Sequence, residues 1–150
     1  MPTGHRELYE FLRGEPLAVE ASVSAVEAPQ AAVVGIVVSE RFEVFFDTLA
    51  SSRKMANLRR DPRIAFVLGG SVPGDERTVQ YEGVADEPTG ADLERLKALY
   101  FARYPDGRER ELQSDIAYVR ARPTWIRYSD FGRVPPEIVE FSGPTLPAPA

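Results

Sequence analysis

The sequence predicts a mainly β, α+β fold in which an antiparallel β-barrel carries a few flanking helices. Residues 17–48 hold three stretches rich in Val, Ile and Phe, and only short turn-like breaks separate them. Strands joined by such tight turns pair as antiparallel neighbours, because a parallel pair needs a long crossover connection. The chain also lacks the glycine-rich dinucleotide fingerprint and the phosphate-loop motif that would favour a parallel α/β fold.

The first half of the chain predicts one helix followed by the three strands. Residues 5–13 place Leu8, Phe11 and Leu12 at helical spacing, and Pro16 ends that helix. The strands follow as 17–28, 31–38 and 42–48, with breaks at 27–30 and 39–41.

The second half predicts helices alternating with strands. A helix begins at Ser51 or Ser52 and runs to about Arg60, where Pro62 stops it. Strands RIAFVLGG and RTVQYEGVADEP come next, then a helix after Thr89, then two strands that meet near Pro123. We therefore expect a single domain over residues 1–141 and a flexible proline-rich tail over residues 142–150.

Composition narrows the classes of function. The 150 residues contain no Cys and one His, so disulfides, thiolate nucleophiles and Cys- or His-based metal clusters are not expected. A net charge of −5 argues against a nucleic-acid partner. No apolar run reaches 18 residues and the first residues do not resemble a secretory signal, so we expect a cytoplasmic protein with no membrane partner.

The segment FDTLASSRK, residues 46–54, holds the chemistry that we consider most informative. Here a strand ends at Thr48 and a helix begins just before Arg53 and Lys54, where its free N–H groups and dipole attract anions. Cations are normally unfavourable in a first helical turn, so a bound phosphate would explain both of them, with Ser52 and Thr48 as hydroxyl donors. The alternative is a Ser-capped surface helix whose cations meet Asp47 or no partner at all.

FDTLASSRK, followed by MANLRRDPRIAFVL and RTVQYEGVADE, resembles the pyridoxamine 5′-phosphate oxidase-like family of FMN-binding split β-barrels. The resemblance covers roughly residues 15–130. It implies an FMN cofactor, a flavin-dependent oxidoreductase acting on an unknown small molecule, and a homodimer with flavin at the interface.

The resemblance also implies roles for individual residues. Arg53 and Lys54 would hold the FMN phosphate, with Asp47 and Thr48 beside the cofactor. Backbone groups near Val33 and Val34 would follow the edge of the isoalloxazine ring, and Thr78 or Gln80 would reach the flavin from a later strand. Trp125, Arg127 and Tyr128 are candidates to contact the flavin of the partner.

Two departures from the oxidase members limit what the resemblance implies. Those members carry an Arg early in the second strand, where this chain has Ala31 and Ala32, and a carboxy-terminal Arg-x-His element, whereas this chain has no His after His5. We therefore do not expect oxidation of pyridoxamine phosphate. A deazaflavin-dependent reductase and a non-catalytic flavin-binding protein are the alternatives, while ordinary haem ligation is poorly supported by a single His. No catalytic side chain and no metal site can be assigned.

Overall fold

The protein is described by a computed structural model covering residues 2–147. Its helices are α1 (His5–Gly14), α2 (Arg53–Arg60), α3 (Gly90–Arg103) and α4 (Gly107–Glu111), followed by a final 3-10 turn, Gly143–Thr145. Its strands are β1 (Leu17–Val23), β2 (Pro29–Gly35), β3 (Val37–Val38), β4 (Val44–Leu49), β5 (Arg63–Gly69), β6 (Arg77–Asp86), β7 (Ile116–Asp130) and β8 (Glu137–Ser142).

All eight strands form one curled antiparallel sheet, which confirms the predicted fold class. The strand order is β2-β1-β5-β6-β7-β4-β3, and β8 pairs with β7. Aromatic side chains fill the concave side: Phe66 makes edge-to-face contacts with both Phe46 and Tyr81. The helices pack around this core, and α2 packs against β1 and β6.

The predicted second strand, 31–38, is wrong in its continuity. The chain leaves the ladder at Ile36, whose N–H donates to Pro16 O (3.0 Å), so β2 pairs with β1 while β3 pairs with β4. As a result the third predicted strand, β4, lies beside β7 and not beside β2. Gly35, directly before the break, is a local sign of it in the apolar run AAVVGIVV, although both halves of that run are strands.

The carboxy-terminal strands also differ from the prediction. Pro123 does not separate two strands: β7 is one strand with a bulge, where Gly83 pairs with Pro123 and Glu82 pairs with Trp125. A bulge accommodates proline because the ladder is already interrupted there. Neither α4 nor β8 was predicted from the sequence, and β8 extends the sheet by pairing with Trp125–Asp130.

The predicted tail starts where β8 ends. Residues 143–145 form the 3-10 turn, Leu146 packs partly buried against the core, and the carbonyl of Thr145 is hydrogen-bonded to His5. Residues 148–150 lie outside the described residues, and the flexibility of the tail stays a prediction. Among the helices of residues 2–147, none is long and apolar enough to cross a membrane.

Candidate functional site

The start of α2 is built by a short local sequence. After β4 the chain turns, with Ser52 N–H donating to Leu49 O (3.0 Å), and Ser52 then becomes the N-cap of α2. Its hydroxyl accepts from Met55 N–H (3.2 Å), which leaves the N–H groups of Arg53 and Lys54 without partners inside the helix. Ser51 instead donates to the carboxylate of Asp115 (2.6 Å). The helix start therefore offers backbone donors and the positive end of its dipole.

These donors open into a cleft of about 180 Å³ between α2 and the first hairpin. The side of α2 contributes Ser52, Arg53 and Lys54, and the strands contribute polar and small side chains from β1 and β2: Glu20, Ser22, Gln30, Ala31 and Ala32. The small alanines leave the edge of β2 accessible, since both are exposed.

The two cations of the first turn are uncompensated. Lys54 Nζ donates to Thr48 Oγ1 (3.3 Å), and within residues 2–147 neither Lys54 nor Arg53 forms an ion pair. By contrast, Arg59 pairs with Glu87 (2.8 Å) and Arg63 pairs with Asp61 (2.7 Å). Arg53 and Lys54 therefore leave two positive charges without a carboxylate partner at the start of the helix.

A buried polar network ties α2 to the floor of the cleft. Asn57 Nδ2 donates to Ser22 Oγ (3.1 Å) and to Gln30 Oε1 (2.8 Å), and these two acceptors face each other across β1 and β2. Asn57 and Ser22 are both buried. None of the three residues was predicted from the sequence, although a polar Asn on the inner face of a short apolar helix stripe is a usable signal.

Glu20 is a further residue of the cleft that was not predicted from the sequence. Its side chain lines the cleft from β1, only 1% of the residue is exposed, and Oε1 has no hydrogen-bond partner within residues 2–147. Burial raises the pKa of this carboxyl above its ordinary value, against the opposite effects of the Lys54 charge and the Ser22 hydroxyl. Ala18, Glu20 and Ser22 alternate on the inward face of β1, which places the carboxylate there. The sequence LAVEASV indicates the opposite, because its apolar residues Leu17, Val19 and Val23 alternate on the other face.

Asp47 is not brought to the cleft. It accepts from Tyr100 Oη (2.9 Å) and from Arg110 Nε (2.8 Å), on the face of β4 covered by α3 and α4. Successive strand residues point to opposite faces, so Thr48 reaches Lys54 while Asp47 points away from it.

The remaining predicted contacts divide between the two faces of the sheet. Val34 is buried on the inner face, and Tyr128 packs inward against Phe11 at 6.0 Å. The outer face carries a row of paired residues that crosses six strands: Val33, Val19, Val67, Gln80, Arg127 and Glu140. Three of them, Val33, Gln80 and Arg127, are predicted site residues. Trp125 lies on the same face and donates to Glu140 (3.5 Å), whereas Thr78 lines a separate cavity beside Gly70.

Comparison with known proteins decides the family. A family model described as pyridoxamine 5′-phosphate oxidase matches residues 5–130. The chain belongs to the pyridoxamine 5′-phosphate oxidase family. The resemblance inferred from the sequence is thereby confirmed. No curated protein matches the chain.

Solved structures share the fold of this family member. A heme binding protein from Mycobacterium smegmatis superposes with a TM-score of 0.81 at 18% identity, over 95% of this chain and 59% of that one. A conserved hypothetical protein from Mycobacterium tuberculosis gives 0.71 at 25% identity, over 85% of each chain. A candidate pyridoxamine 5′-phosphate oxidase from Listeria innocua gives 0.65 at 16% identity, over 83% of this chain and 96% of that one.

This chain spans 59% of the length of the mycobacterial heme binding protein, and the two proteins share the fold over that part. In this member of the pyridoxamine 5′-phosphate oxidase family, within residues 2–147, the α2 cleft combines unpaired helix N–H groups, two cations without an ion pair and an exposed strand edge. Among residues 2–147, no group of three His, Asp or Glu side chains is placed to hold a metal ion.

Proposed function

We propose that this protein binds FMN, with the 5′-phosphate in the α2 cleft, and acts as a flavin-dependent oxidoreductase on a small molecule. The observation that carries the proposal is the pair Arg53 and Lys54, which adjoins free helix N–H groups and has no carboxylate partner within residues 2–147. A phosphate monoester suits this donor set because it accepts several hydrogen bonds and carries the opposite charge.

The residues present fit the phosphate on chemical grounds. Arg53 offers a planar fork of donors, Lys54 an ammonium that Thr48 already orients at 3.3 Å, and the helix start contributes two N–H groups. With Glu20 ionised the cleft still keeps a net positive charge, since two cations face one carboxylate. The cleft is therefore suited to an anion.

The ring of the flavin would follow β2. This strand is at the edge of the sheet, so one row of its backbone N–H and C=O groups has no strand partner and is available to the polar edge of a ring. Backbone groups near Val33 and Val34 are the proposed contacts. When bound, FMN would supply the hydride or electron transfer, and the protein would bind, orient and shield it.

We further propose a homodimer that forms through the outer face of the sheet. Four apolar side chains on β1, β2 and β5 are exposed there: Leu17 (54%), Val19 (41%), Val33 (65%) and Val67 (48%). Gln80, Trp125 and Arg127 flank them, so a second copy seated on this face would bring these residues near the flavin-binding edge of its partner. A contiguous apolar face of this kind is typical of an association surface.

The dimer is tested by adding a charge to that face. Val67→Lys should shift the mass in solution from dimer to monomer, because an ammonium would be desolvated between the two sheets. Val26→Lys, at an 85% exposed turn position, is the matched control and should leave the dimer intact. A wild-type protein that is monomeric at full flavin occupancy would overturn the dimer.

The ligand itself is tested by binding. The absorption spectrum of the purified protein, with mass analysis of any released cofactor, should identify FMN. Apo protein titrated with FMN, riboflavin and haem should bind FMN at least about tenfold more tightly than riboflavin, which corresponds to about 1.4 kcal/mol from the phosphate. Tighter binding of haem would favour the haem-binding role for which the mycobacterial neighbour is named, and release of a deazaflavin would favour the reductase alternative.

Catalysis is tested separately from binding. Turnover of a reduced nicotinamide or a reduced deazaflavin by the loaded protein would separate an oxidoreductase from a non-catalytic flavin-binding protein. Stoichiometric FMN with no turnover of any reductant would leave the binding proposal in place and remove the enzymatic one.

A further inference from the structure

The α2 cleft holds a buried carboxylate next to its cations, which is unexpected in a site for an anion. Glu20 is 1% exposed and Oε1 has no partner within residues 2–147, yet the same cleft is lined by Arg53 and Lys54. An ionised carboxylate at this position would repel a phosphate in a setting where screening by water is weak.

The groups around Glu20 offset its charge only in part, through the charge of Lys54 and the hydroxyl of Ser22. Across the ladder it faces Ala32 of β2 and Phe66 of β5, neither of which carries a charge. The cations that face it come from α2, and within residues 2–147 neither Lys54 nor Arg53 lies within ion-pairing distance of its carboxylate.

We propose that Glu20 takes up one proton from solvent when a phosphate monoester binds in the α2 cleft, and that its carboxyl O–H then donates to the ligand. Protonation removes the like-charge repulsion and turns an unpartnered acceptor into a donor for a phosphate oxygen. This inference rests on the proposed phosphate site and names its regulation: affinity for FMN falls as pH rises. The raised pKa of Glu20 supports the step, because it lowers the free energy needed to add the proton.

Proton uptake can be measured directly by titration calorimetry of FMN into the apo protein in two buffers of different ionisation enthalpy. At about pH 7.5 the phosphate is mostly a dianion, since its second pKa is about 6. We expect wild-type protein to take up close to one proton per FMN. Glu20→Gln, which keeps the shape and replaces the O–H by an amide donor, should take up none, and riboflavin should cause no uptake in either protein.

The pH dependence of affinity gives a second readout. One linked proton makes the dissociation constant of wild-type protein rise by up to about tenfold per pH unit above neutrality. The Glu20→Gln variant should change less than about threefold over the same range and should bind FMN more tightly than wild type at about pH 8. Glu40→Gln, an exposed carboxylate outside the cleft, should behave like wild type.

The outcomes separate this inference from the proposed function. No proton uptake by wild-type protein, with Arg53→Ala still weakening FMN, would overturn the role of Glu20 and keep the phosphate site. Equal uptake in Glu20→Gln would place the proton on the phosphate and also overturn it. Failure of Arg53→Ala to weaken FMN would overturn the site itself. The wild-type measurement decides the inference even if Glu20→Gln does not fold.

Discussion

Glu43 and Glu20 are both buried carboxylates, 4% and 1% exposed, but only Glu43 has a full set of donors. Glu43, directly before β4, accepts from Ser39 (2.7 Å), from both terminal guanidinium nitrogens of Arg95 (2.9 and 3.2 Å) and from Arg120 (3.3 Å). Glu20 has one oxygen with no partner within residues 2–147 and lines a cleft.

Burial and hydrogen bonding together shift the pKa values of Glu43 and Glu20 in opposite directions. Burial raises the pKa of Glu43, but hydrogen bonds from Arg95 and Ser39 and the nearby guanidinium charges outweigh it and leave the pKa below its ordinary value. Burial dominates at Glu20, whose pKa is raised. This protein therefore compensates the structural charge of Glu43 internally, whereas within residues 2–147 Arg53, Lys54 and Glu20 of the α2 cleft form no ion pair.

The largest expected loss of stability follows from removing Glu43, the carboxylate that has a full set of donors. Glu43→Ala should lower the free energy of unfolding by about 3–5 kcal/mol, because it leaves the buried guanidinium of Arg120 without one of its partners. Chemical denaturation measures this. Glu87→Ala, which breaks the exposed pair with Arg59, is the control and should cost about 0–1 kcal/mol. Equal losses in both variants would show that burial does not distinguish the two pairs.

A smaller loss is expected beneath the cleft. Asn57→Ala should cost about 1–3 kcal/mol, because Ser22 and Gln30 lose the donor that bridges them. The same denaturation experiment measures it, with Ala variants at Ser22 and Asn57 combined in a double-mutant cycle. Strict additivity of the two losses would show that the bridge does not couple α2 to β1.

A gain in stability is expected at Glu20. Because its folded-state pKa lies above the unfolded value, Glu20 contributes stability that is fully present at low pH and is lost as pH rises through the folded pKa. Apo Glu20→Gln should therefore be more stable than wild type at about pH 8, by about 0.5–2 kcal/mol, and the difference should shrink towards about pH 4. Thermal melting across that range tests it, and a variant that is less stable at pH 8 would contradict an uncompensated charge.

The sequence predicted those features that neighbouring residues determine. Ser52, Arg53 and Lys54 lie at the start of α2, as expected. The signals for a strand end, a capping Ser and a short helix all lie within about ten residues of chain. The same segment placed two cations at the helix start, but it left open whether Asp47 would pair with them, and the structure shows that Asp47 pairs with Arg110.

Features that depend on distant pairing could not be predicted in this way. Asn57 bridges Ser22 and Gln30 only because α2 packs on the first hairpin, 27 to 35 residues away along the chain. Alternation along β4 separates Asp47 from Thr48, but which of the two side chains reaches the cleft depends on the face of β4 that α3 and α4 cover. The break at Ile36 depends on a hydrogen bond to Pro16, which no local pattern reports.

The contact of the FMN phosphate with Arg53 and Lys54 can be tested most directly by comparing two ligands. Fluorescence quenching of FMN and of riboflavin should be measured with wild type, Arg53→Ala, Lys54→Ala and the control Arg59→Ala, which lies on the same helix but pairs with Glu87. A charge-assisted hydrogen bond contributes about 1.5–3 kcal/mol, so each cleft variant should bind FMN about ten- to a hundredfold more weakly. Riboflavin affinity and the control should barely change. Equal losses for both ligands, or no loss of FMN affinity, would contradict a phosphate site at the start of α2.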